Sequence, residues 1–122
     1  QLAQITDSTK SGTAAEIKLS KDNKYVYASV RGDDNFIAVY GWDSEKLTLL
    51  QKVPTKKGPR NFIFTDDESL VLVGSQFENS ISVFKYGTDF MYSEVAYFKK
   101  GLSGFFNVLK LYFNYCNESK LR

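Results

Sequence analysis

An internal repeat constrains this chain more than any other feature. Ala15 to Ser29 can be laid over Arg60 to Gly74 at an offset of 45, with Ile17 on Phe62, Leu19 on Phe64, Ser20 on Thr65, Asp22 on Asp67, Val26 on Val71 and Tyr27 on Leu72. One residue then drops out. Asn35 to Tyr40 falls on Asn79 to Phe84 at an offset of 44, and Lys56-Lys57-Gly58 is answered by Lys99-Lys100-Gly101. Self-similarity at a period of about 45 residues marks an architecture in which each unit needs a neighbour to cover its apolar faces.

Within each repeat the apolar residues alternate or form short runs rich in Val, Ile, Phe and Tyr, the pattern of strands rather than helices. Strands are expected at roughly 15–20, 24–30, 35–42 and 46–53, and again at roughly 60–65, 69–75, 79–86 and 90–98. Turn formers separate them: Lys21-Asp22-Asn23, Gly32-Asp33-Asp34, Asp43-Ser44-Glu45, Asp66-Asp67-Glu68 and Gly87-Thr88-Asp89. Four short strands per repeat point to an all-β β-propeller, of which this chain supplies about two four-stranded antiparallel blades. The expected division is the end of a preceding blade at 1–12, blades at 13–56 and 57–101, and a divergent tail at 102–122. In that tail Phe105, Val108, Leu109 and Tyr112 fit helical spacing or a buried strand equally well.

Composition narrows the chemistry. A net charge of +2 over 122 residues does not imply a nucleic-acid partner. No apolar run reaches the length of a membrane span, and no secretory leader is visible, although the chain opens on Gln1 rather than Met. The absence of histidine excludes His-based triads and His-ligated metals within this chain, and no phosphate-binding glycine loop is present. Cys116 is the only cysteine, so there is no internal disulfide, which fits a cytoplasmic location.

The residues Ala15-Glu16-Ile17-Lys18-Leu19-Ser20-Lys21-Asp22-Asn23, continuing through Tyr25-Val26-Tyr27-Ala28-Ser29-Val30-Arg31-Gly32, resemble one blade of the seven-bladed lactonases. That family comprises the 6-phosphogluconolactonase type and the related carboxy-muconate cyclases. Gly58-Pro59-Arg60-Asn61-Phe62 resembles the family's next motif, and Gly74-Ser75-Gln76 with Asn79 to Phe84 the strand after it. Asn23 and Glu68 stand where the family's hairpin usually carries glycine. The resemblance covers about residues 13–98 and implies a seven-bladed parent of roughly 315 residues, so that the remaining blades are needed to close the fold.

Topology alone gathers several polar residues. The chain reverses at every turn of an antiparallel blade, so the connection into the first strand and the one between the second and third share a face. Glu16 and Arg60, expected near the start of first strands, and Arg31 and Gln76, expected at the end of second strands, therefore emerge together beside the central channel. Arginine forks suit carboxylate or phosphate, and a carboxylate among them stays ionised and able to move a proton.

By resemblance the parent is a lactonase acting on an anionic, sugar-derived lactone, 6-phosphogluconolactone favoured, with no metal or organic cofactor. In this reading Glu16 and Arg31 are catalytic, and Arg60 and Gln76 bind substrate. Arg60 could instead brace a neighbouring blade, Gln76 could hydrogen-bond an interblade loop, and the paired lysines could be solvated loop residues. Two other activities fit the same residues. One is a carboxy-muconate cyclase or lactonising isomerase. The other is a non-catalytic interaction platform, since Tyr25 to Ser29 also resembles YVTN-type repeats. Arg31-Gly32-Asp33, the sequon at Asn117 and the aspartate pairs read as chance or turn chemistry, and Trp42 and Tyr86 as packing residues at blade edges.

Overall fold

A computed structural model describes residues 9–87 and 92–99. Eight strands run in chain order: β1 (Gly12–Leu19), β2 (Tyr25–Gly32), β3 (Phe36–Trp42), β4 (Leu47–Pro54), β5 (Pro59–Phe64), β6 (Leu70–Ser75), β7 (Ser80–Tyr86) and β8 (Tyr92–Lys99). They form two four-stranded antiparallel meanders, β1-β2-β3-β4 and β5-β6-β7-β8. The strand expected at 90–98 is β8, and residues 90 and 91 lie outside the described residues. So do 1–8 and 100–122, and with them most of the expected preceding-blade segment and the whole divergent tail.

The turns between first and second strands are built alike in the two repeats. In blade one Ser20 Oγ donates to Asp22 Oδ1 at 2.6 Å, and the Lys24 amide donates to the same oxygen at 2.9 Å. In blade two Thr65 Oγ1 and the Ser69 amide do the same to Asp67 Oδ1, at 2.9 and 3.0 Å. A short side chain that satisfies backbone donors within its own turn explains why these positions repeat as Ser/Thr-x-Asp. Asn23 and Glu68 occupy the left-handed region, with φ of 61° and 59°, the conformation for which the family prefers glycine.

Two features depart from the expected pattern. β1 begins at Gly12 because Gly12 and Thr13 pair with Gly32 and Arg31. A 3₁₀ turn, Gln76–Glu78, sits between β6 and β7. Phe77 and Glu78 separate Gln76 from Asn79 where Gly32, Asp33 and Asp34 separate Arg31 from Asn35, and this one-residue difference is the physical origin of the slip in repeat offset.

The sheets pack face to face. Tyr27, Ile37, Val39 and Val53 of blade one meet Phe62, Val71, Val73, Phe84 and Tyr92 of blade two. Val71 and Val73 are repeat equivalents of Val26 and Ala28, which lie on the opposite side of β2 from Tyr27. The front of one blade thus packs on the back of the next, as a rotation about one axis requires. Phe62 is 1% exposed, and burying a ring of that size contributes about 1.5–3 kcal/mol. The Tyr27 ring meets Phe64 edge-on at 4.6 Å. Val30, Phe36, Ala38 and Tyr40 form a second cluster on the other side of blade one. Among the described residues, no helix is long and apolar enough to cross a membrane.

Candidate functional site

Glu16 and Arg60 lie on strands interrupted by bulges, Arg31 in regular register on β2, and Gln76 in the 3₁₀ turn. Ala14 pairs with Val30 and Ile17 with Ala28, so Ala15 and Glu16 together oppose Ser29 in a bulge. Pro59 pairs with Ser75 and Asn61 with Gly74, which leaves Arg60 as the extra residue at the matching place in blade two. Bulges bend a strand and re-aim side chains, and the two bulges lie at matching places of the innermost strands, with Arg60 answering Ala15 and Asn61 answering Glu16.

Glu16 is the fifth residue of β1 rather than near its start, because pairing extends back to Gly12. Its amide donates to the Ser29 hydroxyl at 3.0 Å. Its Oε1 accepts from the Ile17 amide at 3.0 Å, and Lys18 Nζ lies 4.0 Å from Oε2. Among the described residues these contacts run along its own strand and across to β2, and do not reach the arginines.

Arg31 is held at both ends. Its Nε donates to Thr13 Oγ1 across the β1–β2 pair at 3.4 Å, and its Nη1 donates to Gln76 Oε1 of the next blade at 3.2 Å. Arg31 and Gln76 are repeat equivalents, 45 residues apart. A rotation from one blade to the next moves a residue by a distance that grows with its radius, so equivalents that touch lie toward the axis. The loop behind Arg31 is lashed to the incoming segment. Asp33 exchanges hydrogen bonds of 2.8 Å with Ser11, and Lys10 pairs with Asp34 at 2.7 Å. Gly32 has φ of +141°, and a Cβ there would come within 2.4 Å of the Ser11 carbonyl oxygen, so only glycine fits.

Gln76 and Arg60, with Asn61 and Asn79, border an open depression of about 430 Å³ on the same face. Gln76 thus bonds Arg31 and shares the depression with Arg60, while Glu16 stands apart in its hydrogen bonding. The Gln76 backbone amide also donates to Gly58 O at 2.8 Å, on the loop between the blades. Lys56 turns outward, 3.8 Å from Glu94 and over the Tyr97 ring at 4.8 Å. Thr13, Ser29 and Asn35, which hold these side chains or their loops, are not singled out by composition or spacing. Their only trace in the sequence is the repeat of Asn35 as Asn79.

A second cleft, of about 230 Å³, lies between the blades on the opposite face, bordered by Tyr25, Tyr27, Tyr86, Tyr92 and the turn acids Asp22, Asp67 and Glu68. Burial raises the Tyr27 and Tyr92 phenols above their ordinary range, and their oxygens lie 3.4 Å apart. Here too repeat equivalents touch: Lys21 Nζ lies 3.0 Å from Asp66 Oδ1. The Ser69 hydroxyl and amide, with the Thr65 hydroxyl, hold Asp67 at a pKa of about 2. The Tyr27–Tyr92 and Lys21–Asp66 contacts brace the two blades against each other.

Comparison with known proteins gives the arrangement its family. The family model for the seven-bladed β-propeller lactonases matches residues 1–91. A 6-phosphogluconolactonase of Formosa agariphila is 34% identical over 76 residues, 59% of this chain and 22% of the relative. The crystal structure of a protein assigned as a 6-phosphogluconolactonase, from Bacteroides fragilis, aligns with a TM-score of 0.65 at 30% identity, over 70% of this chain and 25% of that one. The periplasmic gluconolactonase of Pseudomonas aeruginosa shares the fold, with a TM-score of 0.72 at 22% identity over 81% of this chain and 29% of its own. The chain therefore spans about a quarter of the length of these relatives, two adjacent blades of their architecture. By the extent of the family match and the packing of its two meanders, the chain belongs to the seven-bladed β-propeller lactonase family.

Proposed function

We propose that the protein carrying this chain is a cytoplasmic lactonase that hydrolyses an anionic, sugar-derived lactone, with 6-phosphogluconolactone as the favoured substrate. The observation that carries the reading is the hydrogen bond from Arg31 to Gln76 across the blades, with Gln76 and Arg60 bordering one depression. Two guanidinium groups beside a channel suit an anion. The 34% identity to a 6-phosphogluconolactonase supports the choice of substrate, and the single cysteine is in keeping with the location.

In this reading Glu16 takes a proton from the attacking water, and the arginines hold the substrate's anionic group and the developing oxyanion. The ring C–O bond breaks, the proton passes to the ring oxygen, and the hydroxy acid leaves. No cofactor takes part. In the complete propeller, Glu16→Gln lowers kcat by about 10²–10⁴ with KM little changed. Arg31→Lys, which keeps the charge and loses the planar fork, chiefly raises KM. Initial rates on 6-phosphogluconolactone, corrected for spontaneous hydrolysis, check both. A Glu16→Gln variant with full kcat removes Glu16 from the chemistry, and a wild type that opens no sugar lactone overturns the reading.

A further inference from the structure

We propose that Asn35 is a positioning residue that fixes the spacing of Arg31 and Arg60; as an account of catalysis this rests on the lactonase reading. The Asn35 side chain is half-buried between two loops. Its Oδ1 accepts the Gly58 amide at 2.9 Å and, at a longer 3.4 Å, the Gly32 amide. Its Nδ2 donates to the Gly32 carbonyl at 3.1 Å, and its own carbonyl accepts the Thr55 amide at 3.0 Å. Gly32 directly follows Arg31, and Gly58 precedes Pro59 and Arg60. One carboxamide therefore grips the backbone beside both arginines.

The Gly58 segment is gripped from the other side as well. Its carbonyl accepts the Gln76 amide at 2.8 Å, Lys57 O accepts the Phe77 amide at 3.1 Å, and the Lys57 amide donates to the Glu78 carboxylate. The Phe77 ring lies flush on Gly58, where a Cβ would come within 2.6 Å of it, and Gly58 has φ of +78°. Because the Gln76 side chain also accepts from Arg31, the contacts close into a cycle: Arg31, Gly32, Asn35, Gly58, Gln76 and back to Arg31. Asn35 is the member of that cycle whose side chain both donates and accepts in these bonds. Aspartate keeps the acceptor and loses the donor, and alanine loses both.

A matched control exists in the same seam. Gln51 also bridges the blades through a carboxamide, its Nε2 donating to Tyr92 O and its Oε1 accepting the Tyr92 amide, both at 3.0 Å, but beside the cleft on the opposite face. In the complete propeller, Asn35→Ala and Gln51→Ala lower Tm alike. Only Asn35→Ala lowers kcat/KM, by about tenfold to a hundredfold, since a small misplacement of binding groups has effects of that size. Asn35→Asp falls between, and stands in if the alanine variant does not fold.

A second readout is independent of turnover. Reaction with phenylglyoxal, mapped by mass spectrometry, speeds at Arg31 and Arg60 in Asn35→Ala and is unchanged in Gln51→Ala. If Asn35→Ala loses Tm but keeps wild-type kcat/KM and arginine reactivity, Asn35 is a bridge between blades and the proposal falls. A wild type without lactone turnover ends the lactonase reading, and the arginine map still decides whether Asn35 positions these side chains.

Discussion

Asp67 shows how much one short side chain does in a blade turn. Its carboxylate accepts from the Ser69 hydroxyl at 2.7 Å, the Ser69 amide at 3.0 Å and the Thr65 hydroxyl at 2.9 Å, and these bonds hold its pKa at about 2. A carboxylate whose pKa is lower in the folded state stabilises the fold above its unfolded pKa, about 3.9, and loses that contribution as pH falls through the folded value. Asp67→Asn, which removes the charge, therefore melts below wild type at pH 6. The gap narrows below about pH 4 and closes only below about pH 2. Paired thermal melts of the complete propeller across that range check this, and a gap that stays constant to pH 2 contradicts it. The adjacent Glu68 explains how the turn dispenses with glycine. Its φ of 59° is costly for a residue with a Cβ, but its Oε1 accepts the Lys21 amide of the neighbouring blade at 2.7 Å, which offsets the strain.

At the scale of strands and loops, the decisive devices are the two bulges. In β1 two residues face Ser29 alone, so the Glu16 amide has no ladder partner and takes the fully buried Ser29 hydroxyl instead. In β5 the bulge also adds one residue, and the place of Ser29 is taken by Gly74, paired directly with Asn61. Ser29→Ala leaves the Glu16 amide without its acceptor and lowers stability by about 1–3 kcal/mol, measurable by urea titration of the complete propeller. Gly74→Ala loses no such bond, and an added Cβ there meets the nearest neighbour, Asn61 O, at an ordinary 3.7 Å. An equal loss in the two variants contradicts this account. Strand number, order and turn positions were legible in the sequence because alternation and Ser/Thr-x-Asp turns are local signals. The bulges and the 3₁₀ turn were not. A bulge adds a residue without changing composition, and Gln76-Phe77-Glu78 carries no helical pattern. The position of Glu16 within β1 was misjudged for the same reason, since Gly12 and Thr13 become strand only by pairing with Gly32 and Arg31.

At the scale of the whole molecule, a repeat shows which residues are equivalent but not which equivalents touch, because contact depends on distance from the axis. Arg31 with Gln76 and Lys21 with Asp66 are both separated by 45 positions, and the structure brings both pairs together on opposite faces. The same rotation describes what each blade presents to its neighbours. Phe62, buried, and Phe64, half-buried, form the face of blade two that receives blade one, and the Phe64 ring meets Tyr27. Their equivalents in blade one are Ile17 and Leu19, which are 63% and 57% exposed. At the far side, Ile81 and Val83 hold the places of the buried Ile37 and Val39 and are only half-covered. Blade one thus offers a receiving face and blade two a donating face of the same build. A second copy of the chain can dock head to tail through them, and such a contact repeats rather than closing on itself at two copies. The 122-residue chain on its own is therefore expected to self-associate at micromolar concentration, with a range of masses in size-exclusion chromatography coupled to light scattering. Charging the receiving face with Ile17→Lys and Leu19→Lys lowers the mass toward the monomer and leaves the strand signature in circular dichroism intact, because neither side chain belongs to the core between the two blades. A wild-type chain that elutes as a monomer and melts cooperatively contradicts this, and shows that the exposed face of blade one is no docking surface for a neighbour.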